Sequence, residues 1–298
     1  PRSSSAASDV YKRQILYGDK MVIFGGYPGG NNRYKDTWTL DLTSYAWNEL
    51  TTTGDPPSAR ESHSSILFDG KMVMFGGSSG GYFNDAWTLD LTTYAWTEIT
   101  TSGDPPSARK GDSCIIYDGK MFIFGGYDGD NLKNDTWTLD LTSYAWTEIT
   151  TSGDPPTARY RHSSILFDGK MVMFGGYDGG YKNDTWTLDL TSYAWTKLTT
   201  TGATPNARDR HSSILYGDKM VMFGGYNGGS KNDAWTLDLT TYAWVQLTTS
   251  EITPTARTSH SSILFDGTMV MFGGYDVGFK NDVWTLDLKK IIDLSLIH

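Results

Sequence analysis

Histidines, a cysteine, methionines and a recurrent set of arginines and carboxylates are the residues that could do chemistry in this chain. His63, His162, His211 and His260 each stand three residues after an arginine, and His298 lies outside that pattern. Imidazole is a common ligand for zinc, copper and iron. These four, however, occupy equal places in successive repeats, which holds them apart, so no shared metal is expected. Cys114 stands where sister segments carry Ser65, Ser164, Ser213 and Ser262. A nucleophilic thiol wants a base beside it, and Asp112 takes the place of the histidine in that segment. A lone cysteine also excludes an intrachain disulfide and a cysteine-based zinc site. The ten methionines all fall in one recurrent apolar run, as Met72 and Met74 do, which points to packing and not to thioether ligation of copper.

What must position these groups is a repeat. Phe-Gly-Gly begins at Phe24, Phe75, Phe124, Phe174, Phe223 and Phe272, at intervals of 49 to 51 residues. Trp-Thr-Leu-Asp-Leu follows from Trp38, Trp87, Trp137, Trp186, Trp235 and Trp284, and five copies continue into Tyr-Ala-Trp. Each unit reads as four short strands, exemplified by Ser64 to Phe68, Met72 to Phe75, Trp87 to Leu91 and Tyr94 to Ile99. Asp69-Gly70 supplies the positive φ angles of a hairpin turn between the first two. Pro-rich linkers such as Gly54-Asp55-Pro56-Pro57 are expected to deny the chain helix or sheet. The second strand is apolar on both sides, so a unit is unstable alone. Closing units into a ring covers both faces. The glycine pair is expected to let a neighbouring blade, or its tryptophan, approach the backbone.

This pattern resembles the kelch family over residues 15–288, through the Gly-Gly pair, the tryptophan of the fourth strand and the Pro-x-x-Arg-x-x-His opening (Pro57 to His63). It looks most like intracellular kelch adaptors and, more distantly, the central domain of galactose oxidase. The resemblance implies an all-β, six-bladed β-propeller with four antiparallel strands per blade, monomeric, with closure left incomplete if the chain is a fragment. It also favours a cytoplasmic setting over a secreted one. The sequons Asn134-Asp135-Thr136 and Asn183-Asp184-Thr185 belong to the general repeat and argue little for secretion. No copper constellation carries over, and no cofactor or metal is implied. Residues 1–14 and 289–298 depart from the repeat. Pro1 to Gln14 and about Asp293 to His298 are expected to be non-native flanking sequence.

Arg60, Arg109, Arg159, Arg208 and Arg257 open five units, while Asp36, Asp85, Asp135, Asp184, Asp233 and Asp282 precede the third strands. Ligands are asymmetric and these groups are periodic, so structural ion pairs that hold loops are expected. A basic ring at the channel mouth is the alternative, since linker arginines bind peptides in some kelch proteins. Specificity is expected where near-identical units differ. Those positions are Glu61, Lys110, Tyr160, Arg161, Asp209 and Arg210 after the linker arginine, and Arg33, Tyr34, Tyr82, Phe83, Tyr181 and Phe279 in the loop between the second and third strands. Both segments emerge on one end of a blade, so a protein or peptide partner seated there is the expected function. The alternatives are a kelch-type lyase, epimerase or specifier protein using Glu61, Asp112 or Asp209 on a small substrate, and an extracellular carbohydrate-binding propeller. A net charge of −9 argues against nucleic acid. No apolar run approaches the roughly 20 residues that span a bilayer.

Overall fold

A computed structural model of the protein describes residues 13–248 and 254–293. Six small antiparallel sheets stand around a central channel as the blades of a β-propeller. Blade 2 shows the plan, from the channel outward: strand A is Ser64–Phe68, strand B Lys71–Phe75, strand C Ala86–Asp90 and strand D Trp96–Glu98. Blades 1 to 5 each have these four strands, and blade 6 has three among the described residues, ending at Val283–Asp287. Apart from a five-residue turn of π-helix at Lys289–Asp293, the described residues contain no helix, so none is long and apolar enough to cross a membrane.

Local chemistry explains each turn. Asp69 (φ 47°) and Gly70 (φ 70°) form the A–B hairpin, while Gly18-Asp19 and Gly217-Asp218 place only their glycine at positive φ. Between strands C and D, Asp90 Oδ1 accepts the backbone N–H groups of Thr92 and Thr93. Tyr94 is thereby held in the turn at φ 58°, so strand D starts at Trp96, two residues later than its sequence suggests.

Strand B is buried on both faces, and all ten methionines in it are fully buried. Each core cluster is shared by two blades. The Phe of strand B packs on the strand D tryptophan of the next blade: Phe24 on Trp96, Phe75 on Trp146, Phe124 on Trp195 and Phe174 on Trp244, with centroids 4.7–4.9 Å apart. The ring closes with the same contact, Phe272 of blade 6 on Trp47 of blade 1. Ser261 Oγ also donates to Gln14 Oε1 across that seam. Arg13 and Gln14, the last two residues of the segment expected to depart from the repeat, pair with Phe24 and Ile23 in strand A of blade 1.

Two other expectations are corrected. The linkers do pair: Ser152–Gly153 and Thr201–Gly202 add short parallel edges to strand D of the following blade, because the prolines lie beyond these residues and leave their N–H groups free to bond. The strand D tryptophan approaches the linker glycine and not the Gly-Gly pair: a Cβ on Gly54 (φ 72°) would sit 2.5 Å from Trp96 O. The pair does receive the neighbouring blade, through that blade's linker and not through its tryptophan. Gly77 N–H donates to Arg109 O of blade 3, and a Cβ on Gly76 would lie 2.9 Å from that carbonyl oxygen.

Candidate functional site

The D–A linkers and B–C loops share one face, the loop face, and beneath it lie the repeated arginines. Arg60, Arg109, Arg159, Arg208 and Arg257 are at most 1% exposed. Each grips the Asp before strand C of its own blade through both guanidinium nitrogens, as Arg159 does with Asp184 at 2.6 and 2.9 Å. Arg159 also donates from Nη1 to Gly175 O and from Nε to Thr157 O. The same carboxylate accepts the strand C indole, Trp186 Nε1 to Asp184 Oδ2 at 2.8 Å. Burial pushes Asp184 up, but the hydrogen bonds from Arg159 and Trp186 and the guanidinium charge outweigh it and hold the carboxyl below its usual range. These arginines are too deep to form a basic ring at the channel mouth. Phe83 belongs with them, its ring 4.1 Å from the Arg60 guanidinium carbon.

The mouth is made by the second residue after each arginine. Ser62, Gly111, Arg161, Arg210 and Ser259 all take left-handed backbone conformations, with φ between 56° and 69°. Gly111 N–H donates to Ser62 O, Arg161 to Gly111 O, Arg210 to Arg161 O and Ser259 to Arg210 O, at 2.7–3.0 Å. A belt of backbone bonds thus runs from blade 2 to blade 6 around the opening. Left-handed φ is uncommon for arginine and is held here by the belt. Nothing in the sequence of one unit signals it, because Ser, Gly and Arg share the position.

On and beside this belt lie the variable residues, most of them half-buried. Arg161 Nη1 donates to Tyr160 Oη at 2.8 Å and stacks over that ring at 4.3 Å. Arg33 lies 4.2 Å over Tyr27 and donates to Glu61 at 2.8 Å, joining blades 1 and 2. Lys110 Nζ is 5.5 Å from the Tyr82 ring. Burial lowers the Lys110 ammonium, Glu61 opposes this, and Arg161, Arg33 and Arg210 lower it further, so the four cations share one field. Glu61 and Asp209, expected to face a partner, are only 5% and 2% exposed. They serve the loops as counter-ions: Asp209 lies 3.9 Å from Arg161 and 3.6 Å from Arg210. Burial still raises the Asp209 carboxyl, and the two arginines offset only part of it. Tyr34 receives the linker through its backbone, its carbonyl accepting the Arg60 N–H.

Aromatic contacts join the loops across blades. Tyr82 packs on Tyr127, Tyr127 on Tyr160, Tyr160 on Tyr177, Tyr177 on Tyr181 and Tyr181 on Tyr226. Phe279 contacts Tyr275 of its own blade and, across the closing seam, Tyr27 of blade 1. Tyr27, Tyr127, Tyr177, Tyr226 and Tyr275 are site residues the sequence reading missed. Their signal was the tyrosine following Gly-Gly, hidden by its own regularity.

Below the mouth a cavity of about 130 Å³ is lined by Arg161, Arg210, His162, His211, His260 and a set of serines that includes Ser163 and Ser212. Each histidine bonds the strand A serine of the preceding blade through Nε2: Ser113 with His162, Ser163 with His211 and Ser212 with His260, at 2.7–2.8 Å. Asp112, in the histidine position of blade 3, accepts from Ser64. Among the described residues no group of three or more His, Cys, Asp or Glu could hold a metal ion, and Cys114 points its thiol at Ser65 O, 3.5 Å away.

Burial and the nearby linker arginines lower His211 and His260 to about 3. The unfolded chain, with histidines near 6.5, therefore takes up protons first as pH falls, and the folded state loses stability from about pH 6.5 down towards 3. At pH 5.5 the loss is about 1 kcal/mol per histidine. The Asp carboxylates add to it only below about pH 4. His260→Gln, which can keep a bond to Ser212, is expected to flatten the stability profile between pH 6.5 and 5, read by urea titration at each pH. An unchanged slope contradicts the assignment.

A family model described as the KLHDC2/KLHL20/DRC7 Kelch-repeats domain matches residues 3–176 and 150–291. Similar stretches occur in host cell factor 1 of Homo sapiens, 39% identical over 77 residues, and host cell factor 2 of Homo sapiens, 36% identical over 77 residues. Each covers 26% of this chain, and 4% and 9% of those proteins respectively. Dynein regulatory complex subunit 7 of Chlamydomonas reinhardtii is 37% identical over 59 residues, covering 20% of this chain and 5% of that protein. The chain thus aligns with less than a tenth of each relative's length.

Proposed function

Because the chain belongs to the kelch-repeat family, we propose that it is a binding propeller whose loop face seats a protein or peptide segment over the channel mouth. The observation that carries this reading is charge against the grain. In a chain of net charge −9, Arg33, Lys110, Arg161 and Arg210 share one field at the mouth, interleaved with half-buried tyrosines. Arg161 and Arg210 sit on the rigid belt, so little ordering entropy remains to be lost when they bind. Tyr160, Tyr82 and Tyr181 add aromatic surface of the kind enriched at binding hot spots. Carboxylate-bearing segments match this chemistry, because guanidinium forks bond carboxylates in pairs. The printed name of one relative, a subunit of a dynein regulatory complex, agrees with a role in assembly.

A catalytic role is not part of the proposal. Glu61 and Asp209 are engaged by arginines and Asp112 by Ser64, and none of the three lines the cavity. A displayed library of random ten-residue peptides tests the reading. Enriched peptides are expected to be rich in Asp and Glu, and Tyr160, Arg161 and Arg210 replaced together by Ala should weaken them about tenfold or more. Peptides that bind the triple variant as well as the parent would remove the mouth as the site.

A further inference from the structure

Charge on the belt is asymmetric. Of its five positions only Arg161 and Arg210 carry it, in the adjacent blades 4 and 5, where Ser62, Gly111 and Ser259 stand in the others. The cavity of about 130 Å³ lies under these two arginines. Its wall continues through the serine pairs that open strand A in blades 4 to 6, of which Ser164, Ser213 and Ser262 are half-buried. Among the described residues no carboxylate lines it. The two belt arginines are held unlike the five that grip the Asp before strand C, whose forks close at 2.6–2.9 Å. Arg161 and Arg210 keep 18% and 25% of their side chains exposed. Their shared counter-ion, Asp209, stays 3.9 and 3.6 Å away, beyond hydrogen-bond reach. Two guanidinium groups at the head of the cavity thus share one distant carboxylate.

We propose that this cavity is a subsite for a phosphoryl group, carried into it by a phosphorylated side chain of the partner segment. Periodic groups serve the blades, and this is the one place where charge and cavity depart from the period together. A phosphomonoester brings a charge of about −1.5 to −2 and three strong acceptor oxygens. Those oxygens can face the guanidinium groups above and serine hydroxyls below at once, since a hydroxyl turns about χ1 between three wells. A planar carboxylate offers two oxygens in one plane and meets only one of these sets. Drug-sized ligands occupy pockets of about 300–1,000 Å³, so a nucleotide or sugar phosphate seats no more than its phosphoryl group here. The body of the ligand lies outside, against the tyrosines of the mouth. The source of the phosphoryl group therefore rests on the binding function proposed above, whereas the chemistry of the cavity does not.

Arrays of random ten-residue peptides with a fixed central phosphoserine, glutamate or serine test this, with inorganic phosphate as competitor. The parent protein is expected to retain the phosphoserine array about tenfold or more above the glutamate array. Millimolar inorganic phosphate should remove that excess. Ser164→Val with Ser262→Val fills the cavity beneath the belt and should bring the two arrays level while glutamate peptides stay bound. Arg161→Lys with Arg210→Lys keeps both charges, loses the forks and should also cut the excess. This lysine pair leaves strand A untouched and decides the matter if the valine pair does not fold. Equal retention of the phosphoserine and glutamate arrays by the parent overturns the subsite and leaves the acidic-segment reading standing. An excess that survives either folded double variant puts the phosphoryl group elsewhere and overturns the subsite too. Inorganic phosphate that binds by calorimetry and is lost in the valine pair, with no array retained, overturns the partner as its source and removes the mouth as a peptide site.

Discussion

Arg159→Ala is expected to destabilise the propeller by about 3–5 kcal/mol, while Arg161→Ala, two residues on, costs far less. The contrast follows from burial and partners. Arg159 is 1% exposed and donates to Asp184, Gly175 O and Thr157 from Nε, Nη1 and Nη2. Its removal leaves a cavity, an orphaned glycine carbonyl and a carboxylate that keeps only the Trp186 indole. Arg161 is half-buried on the loop face, where its ion pair to Asp209 is long at 3.9 Å. Arg159→Lys should recover only part of the loss, since one ammonium cannot serve two carboxylate oxygens and two carbonyls in the plane of a fork. Asp184→Ala is expected to be at least as damaging as Arg159→Ala, because it strands Arg159 and Trp186 together. Chemical denaturation of the four single variants checks this, and a cost under about 1 kcal/mol for Arg159→Ala would mean the pair is not structural.

Periodicity is why so much of the fold could be read in advance. A strand such as Met72 to Phe75 that is apolar on both sides needs two neighbours, and six such strands at near-constant spacing need a ring. The Arg–Asp partnership was legible for a related reason, since groups repeated in every blade serve the blade. What stayed hidden arises between repeats. The Ser–His bonds, as Ser163 to His211, join residues 48 apart and depend on how the strands A tilt round the channel. The left-handed belt at Ser62, Gly111, Arg161, Arg210 and Ser259 is imposed by backbone bonds from the neighbouring blade, which no local propensity encodes. Variation did point to residues that gather on the loop face, but not to their burial. Glu61 and Asp209 vary because the arginines they neutralise, Arg33 and Arg161 with Arg210, vary with them.

Trp195→Ala tests the ring itself. The indole is 4% exposed and packs on Phe124 of the preceding blade at 4.7 Å between centroids, while its backbone carries the parallel bridge to Gly153 of the incoming linker. Truncation is expected to cost about 3–5 kcal/mol. The double variant with Phe124→Ala should fall short of the sum of the singles by about 0.5–1.5 kcal/mol, the worth of an aromatic pair beyond its buried area. The same cycle at the seam, Trp47→Ala with Phe272→Ala, is the sharper measurement, since residues 225 apart in sequence meet there only if blade 6 closes on blade 1. An open stack of blades would give the first coupling and not the second. Equal couplings at both places mean that covering the two apolar faces of strand B drives the ring shut. The belt that fixes Arg161 and Arg210 at the mouth then owes its geometry to that closure, so a seam variant that folds but loosens should also weaken whatever the mouth binds.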